Sequence, residues 1–169
     1  MHTMLYLAYG SNLHPSRIGA RIGSITALGT VSLPGWKLRF HKYSEDGSGK
    51  CNLTADPSSI AFGTVYELSQ KMKERLDVIE GVGHGYRDTQ ITLPEFGDTC
   101  IYLAEPSHIK EGVLPYDWYH AFVVKGAELN HFPNTYVTNI RDVQFIQDPN
   151  EERRNANLSI LRSIEAHSL

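Results

Sequence analysis

The stretch MLYLAYGSNL, Met4 to Leu13, decides how the rest of the chain is read. Met4 to Tyr9 is short, apolar and aromatic, the composition of a buried strand, and Gly10-Ser11-Asn12 ends it. Pro15 then suits the first turn of a helix carrying Ile18 and Ile22, which Gly19 and Gly23 keep weak and short. Read plainly, the loop is a strand-to-helix connection in which Asn12 or His14 caps the helix. The functional reading is that backbone N–H groups at such a turn converge on an anion or a developing oxyanion. Gly10 would let a ligand approach the backbone closely, and Ser11 and Asn12 add short polar side chains.

Working outward, the pattern from Ser24 to Ser44 turns to β: ITALGTVSL, a turn at Pro34-Gly35, then WKLRFHKY, where Trp36, Leu38 and Phe40 alternate with polar residues. SEDGSGKCN is a loop, ADPSS a further turn, and IAFGTVYEL another strand. Ser69 is a plausible N-cap for a helix over QKMKERLDVIEG. Leu68, Met72, Leu76 and Ile79 recur there at helical spacing, and Gly81 marks the stop. A Gly-rich link, GVGHGY, leads to RDTQITL and TCIYLAE, a hairpin turning at EFGD. The last third reads helical: PYDWYHAFVVKGAEL, PNTYVTNIRDV and PNEERRNANLSILRSIEA. Strands early and helices late predict an α+β or mixed α/β class.

The chain has 169 residues, which favours one domain with a real core, and a net charge of −3. That charge provides no general attraction to nucleic acid or to an anionic membrane surface. Lys71, Lys73 and Arg75 read as a solvated helix face. Cys51 and Cys100 form no CxxC and no disulfide framework, and no segment approaches the length of a membrane span. A cytoplasmic protein with reduced thiols is expected.

Glu80 follows Ile79 at the end of an amphipathic helix. A carboxylate there faces the negative end of the helix dipole, and partial burial would further favour its protonated form. Both effects suit general acid–base work; the plain alternative is a surface Glu that ends a helix. Eight scattered histidines contain no HxH, HxxxH or HExxH pair, so no metal site is expected. No GxSxG elbow, Walker loop or strand-preceded GxGxxG occurs. Tyr116, Trp118 and Tyr119 form an aromatic cluster, read first as core. Arg17 is read as a surface residue, with a substrate carboxylate as its alternative partner.

In order, LAYGSNL, the FGTVYEL strand, a helix ending LDVIEGVGHGY and Tyr119 seven residues before the Gly-Ala of VVKGA resemble the gamma-glutamylcyclotransferase-like family. That group includes the plant AIG2-like proteins and the butirosin-pathway cyclotransferase. The resemblance runs from about Tyr6 to Val143. It implies one mixed α+β domain over 1–148, built on a small barrel-like sheet with flanking helices. Residues 149–169 would be a helical extension packed on the same domain. Leu158, Leu161 and Ile164 on one face of that extension would close the barrel or serve a homodimer.

The resemblance further implies a pocket for a small γ-glutamyl substrate, lined by Tyr6, Leu7, Ala8, Tyr9, Gly10, Ser11 and Asn12 and bordered by Tyr119. Glu80 would be the catalytic acid–base, and no cofactor is implied. The reaction would be an internal aminolysis, of acyl-transfer or lyase type, that releases 5-oxoproline and a free amine. The loop reads YGSN in full, as in cyclotransferases acting on γ-glutamyl α-amino acids. A γ-glutamyl amine, a γ-glutamyl-protected metabolite, or a non-catalytic metabolite-binding module are the alternatives.

Overall fold

Strand β1 (Thr3–Ala8) is buried on both faces because its side chains alternate between two cores. Leu7 and, just beyond the strand, Tyr9 join Leu13, Val65, Phe122 and Val123 on one side. Tyr6 and Ala8 join Ile18, Leu68 and Leu76 on the other. The computed structural model describes residues 3–165. Beside β1 stand β2 (Thr26–Tyr43), β3 (Gly49–Ser69), β4 (Tyr86–Leu93) and β5 (Gly97–Ala104), in the sheet order β2-β3-β1-β5-β4. β1 is antiparallel to β3, from Thr3↔Ser69 to Ala8↔Thr64, and parallel to β5 at Tyr6↔Cys100.

The two turns expected at Pro34-Gly35 and at ADPSS do not end strands. They face each other across the β2/β3 ladder, where Pro34 pairs with Ile60 and Trp36 with Ala55. Asp56 to Ser59 bulge out opposite Gly35, and Asp56 accepts hydrogen bonds from the backbone and hydroxyl of Ser58. Two turn signals in register therefore make one bulge in a long hairpin. The expected β4/β5 hairpin forms, from Tyr86↔Ala104 to Leu93↔Gly97. The outer strands curl toward one another. Phe96, in the β4/β5 turn, lies so close to β2 that a Cβ on Gly29 would stand 3.2 Å from its ring. At the other end, the Tyr86 hydroxyl donates to Cys51 O on β3 across 2.6 Å.

Helix α1 (Pro15–Ile22) follows the loop directly, with Pro15 in its first turn. Helix α2 (Gln70–Glu80) starts on Ser69, whose hydroxyl accepts from Met72 N–H, and stops at Gly81 in the left-handed conformation (φ 68°). Its buried face differs from the expected one. Leu68 belongs to β3, Ile79 is 39 % exposed, and Lys73 and Leu76 are the buried pair. Nor do Lys71, Lys73 and Arg75 make one solvated patch, because Lys73 is buried against Asp77 (2.5 Å) and Asp88 (2.7 Å). Both cysteines are free and buried.

Helices α3 (Asp117–Leu129), α4 (Asn134–Arg141) and α5 (Glu151–Glu165) cover the sheet from the other side. The α3 backbone packs tightly on the turn after β1, since a Cβ on Gly126 would lie 2.6 Å from Leu13 Cβ. α5 docks through Arg154 to Asp117 (2.6 Å) and Asn157 to Arg17 (2.9 Å), with Leu158 and Leu161 against the core. The Ile164 side chain lies outside the described residues. No helix among the described residues is long and apolar enough to cross a membrane.

Candidate functional site

The loop after β1 folds into a tight turn, Ser11–Leu13, in which the N–H groups of Leu13 and His14 take the carbonyls of Gly10 and Ser11. His14, not Asn12, stands at the N-cap of α1, and its side chain makes no capping bond. Gly10 presses on β3: a Cβ there would sit 2.8 Å from Cys51 Cβ and 3.4 Å from the Tyr119 hydroxyl. No larger residue fits without moving one wall of the site.

Asn12 turns inward and is buried. Its Nδ2 donates to the Tyr6 hydroxyl (3.0 Å) and to Glu80 Oε1 (2.9 Å), while its Oδ1 accepts from Arg21 (3.3 Å). Arg21 also donates to Glu80 Oε1 across 2.8 Å. Glu80 therefore does not face the helix dipole alone: it sits in a network joining β1, the loop, α1 and the end of α2. Both bonds fall on Oε1, and Oε2 has no partner among the described residues.

Around this network stand Tyr9, Tyr86, Tyr102, Tyr119 and Cys51, which complete one small pocket with Tyr6, Gly10, Ser11, Asn12 and Glu80. The hydroxyls of Tyr9, Tyr86 and Tyr119 are fixed by the backbone and that of Tyr102 by a carboxylate. The Tyr119 hydroxyl accepts from Cys51 N–H (2.9 Å), Tyr9 donates to Tyr102 O, and the Tyr102 hydroxyl donates to Asp77 (2.6 Å). Burial pushes the phenols of Tyr6, Tyr9, Tyr86 and Tyr119 well above their ordinary range. It likewise pushes the Cys51 thiol up to about 12. The walls are thus neutral near pH 7, and Cys51 is held as a thiol rather than a nucleophilic thiolate.

Of the residues expected from sequence, Tyr6, Tyr9, Gly10, Ser11, Asn12, Tyr119 and Glu80 are brought together here. Leu7 and Ala8 are not. Strand alternation sends Leu7 into the core under α3 and Ala8 into the core under α1. Arg17 is not a surface residue: it is 6 % exposed, donates to Ser11 Oγ (3.0 Å) and lies over the Trp118 and Phe122 rings. Sequence reasoning missed Arg21, Cys51, Tyr86 and Tyr102. Arg21 carried a signal, since it follows Arg17 by one helical turn on a helix that opens at the loop. The other three arrive by strand pairing and left no local mark. Among the described residues, no three His, Cys, Asp or Glu side chains gather as a metal site would require.

The sequence pattern of the AIG2-like family matches residues 61–140. A gamma-glutamylcyclotransferase from Bos taurus is 28% identical over 149 residues, spanning 84% of this chain and 79% of that protein. A solved gamma-glutamyl cyclotransferase shares the fold with a TM-score of 0.73 and 22% identity, over 92% of this chain and 99% of its own. A Homo sapiens structure described as an uncharacterized protein does so with a TM-score of 0.73 and 23% identity, over the same shares. The α+β fold, a five-stranded sheet flanked by helices, is the fold of these two solved structures. The chain is thus similar to the AIG2-like family over residues 61–140 and to a gamma-glutamylcyclotransferase over most of its length, and it has the fold of a solved gamma-glutamyl cyclotransferase.

Proposed function

We propose that the chain is a gamma-glutamyl cyclotransferase: it closes the γ-glutamyl group of a γ-glutamyl amide into 5-oxoproline and releases the amine. The observation that carries this reading is the state of Glu80. One carboxylate oxygen is anchored by Asn12 and Arg21, and the other is unengaged, in a pocket with neutral walls. A carboxylate held at one oxygen is positioned to move protons through the other.

In the reaction, the substrate α-amine attacks its own γ-carbonyl carbon. The ring C–N bond forms and the amide C–N bond to the leaving amine breaks. The α-ammonium loses two protons and the departing amine gains two, so one carboxylate can relay them: Glu80 takes a proton from the ammonium and returns it to the leaving nitrogen. The nucleophile belongs to the substrate, which fits a pocket whose thiol is kept protonated. Folding the glutamyl chain so that amine meets carbonyl supplies several kcal/mol of barrier reduction. The N–H groups of Gly10 and Ser11 are the donors proposed for the oxyanion or the α-carboxylate.

The test is release of 5-oxoproline from a panel of γ-glutamyl amino acids and γ-glutamyl amines. Turnover of at least one, unaffected by chelators, is expected. No release from any of them would overturn the reading.

A further inference from the structure

Next to the tyrosine-walled pocket lies a second cavity of about 100 Å³, and the two share Ser11, Glu80, Tyr86 and Tyr119. Its walls carry four cations: Arg17, Arg21, Lys42 and Lys50. Two carboxylates answer them. Glu80 pairs with Arg21, and Asp46 pairs with Lys50 at 2.9 Å. Arg17 is held by Ser11, Asn157 and two aromatic faces. Among the described residues, Lys42 Nζ is met by Ser44 Oγ at 3.0 Å and the face of Tyr86 at 4.7 Å. Neither Arg17 nor Lys42 has a carboxylate partner among the described residues. Glu80 and Asp46, already paired with Arg21 and Lys50, act on Lys42 only at longer range, as do Glu45 from an exposed position and Glu105 beside His108.

Lys42 is only 7 % exposed, and a buried ammonium without a counter-charge is costly. Burial also lowers the affinity of Lys42 and Lys50 for their protons, Lys50 to about 8 despite Asp46. The Gly-rich link before β4 keeps room for this side chain. Gly85 has φ 143°, and a Cβ there would lie 2.8 Å from Lys42 Nζ. The fold therefore maintains an excess of two positive charges in a cavity that begins at Glu80.

We infer that this cavity is the leaving-group subsite and that it selects an amine carrying two carboxylates, an acidic α-amino acid, with Lys42 as the specificity-determining residue. The inference rests on the proposed reaction for its orientation, because Glu80 delivers the proton to the nitrogen that leaves. One carboxylate of the departing amino acid offsets one excess charge, and a side-chain carboxylate offsets the second.

The experiment uses glutaryl-glutamate and glutaryl-glutamine, which are nearly isosteric, differ by one charge and lack the attacking α-amine. Their affinities are measured by calorimetry at low salt for the wild type, Lys42→Met and Lys42→Arg. The wild type is expected to bind glutaryl-glutamate about tenfold or more tighter. That ratio should fall to within about twofold in Lys42→Met and persist in Lys42→Arg. Equal affinities in the wild type, or a ratio unmoved by Lys42→Met, would overturn the inference. Binding is read here without turnover, so a failure of the subsite is distinguishable from a failure of the proposed reaction.

Discussion

Asn12 Nδ2 stands 2.9 Å from Glu80 Oε1, and this bond ties the loop after β1 to the far end of α2. The same amide group holds the Tyr6 hydroxyl, and Arg21 closes the ring from α1. The loop and the carboxylate thus form one unit, although 68 positions separate them.

Asn12→Ala should therefore act on the rate more than on binding. Without the amide, Glu80 keeps Arg21 but loses a second anchor. A drop in kcat of about 10- to 100-fold is expected, with KM changed less than about threefold. Steady-state kinetics decide it. A raised KM with kcat intact would make Asn12 a substrate contact instead.

Gly10→Ala brings a methyl group to within 2.8 Å of Cys51 Cβ and 3.4 Å of the Tyr119 hydroxyl. Either the loop or β3 must shift, at a cost of about 1–3 kcal/mol. Urea denaturation should show that loss together with a collapse of activity. Unchanged stability and turnover would mean the contact relaxes freely.

Cys51 lines the pocket, yet burial keeps its thiol protonated. Cys51→Ser should retain activity within about tenfold, since the reaction proposed uses no protein nucleophile. A fall of a thousandfold, with stability preserved, would point to a covalent intermediate.

Asp148 fastens the start of α5. It accepts from the Trp118 indole (2.7 Å), from Arg153 through two nitrogens (2.6 Å each) and from Asn150 N–H (2.8 Å). Burial alone would raise its proton affinity, but Arg153 and Trp118 outweigh it and bring the group down to about 2, from an ordinary 3.8. A folded value below the unfolded one means the stabilisation is present above about 4 and is lost as the pH falls toward 2. Denaturation of wild type and Asp148→Asn should differ clearly at pH 6 and converge at pH 2. A gap independent of pH would contradict this.

The architecture was legible wherever local patterns carried it: the alternation in β4 and β5, Ser69 and Gly81 bounding α2, Pro15 opening α1. The β2/β3 hairpin was misread at Pro34-Gly35 and Asp56-Pro57 because turn chemistry is local, whereas the bulge exists only once the two segments face each other. In the site, the loop and Glu80 were readable from motif and position. Leu7 and Ala8 were included because a motif is contiguous, whereas their short or aliphatic side chains end in the two cores and only the long Tyr6 and Tyr9 side chains on the same faces line the pocket. Cys51, Tyr86 and Tyr102 reach the pocket through pairings of β3, β4 and β5, which no spacing announces. Arg17 and Lys73 were read as solvated because charge favours the surface. Aromatic faces hold the first and two carboxylates the second in the interior.

The central claim is that Glu80 moves the protons. Its most direct test is single-turnover release of 5-oxoproline from the best γ-glutamyl substrate, wild type beside Glu80→Gln, with 5-oxoproline binding measured on both. Gln keeps the size of the side chain and an oxygen for Arg21 but cannot relay a proton. The account predicts that release falls by about a thousandfold or more while 5-oxoproline still binds. Release by Glu80→Gln at a rate near that of the wild type would contradict it.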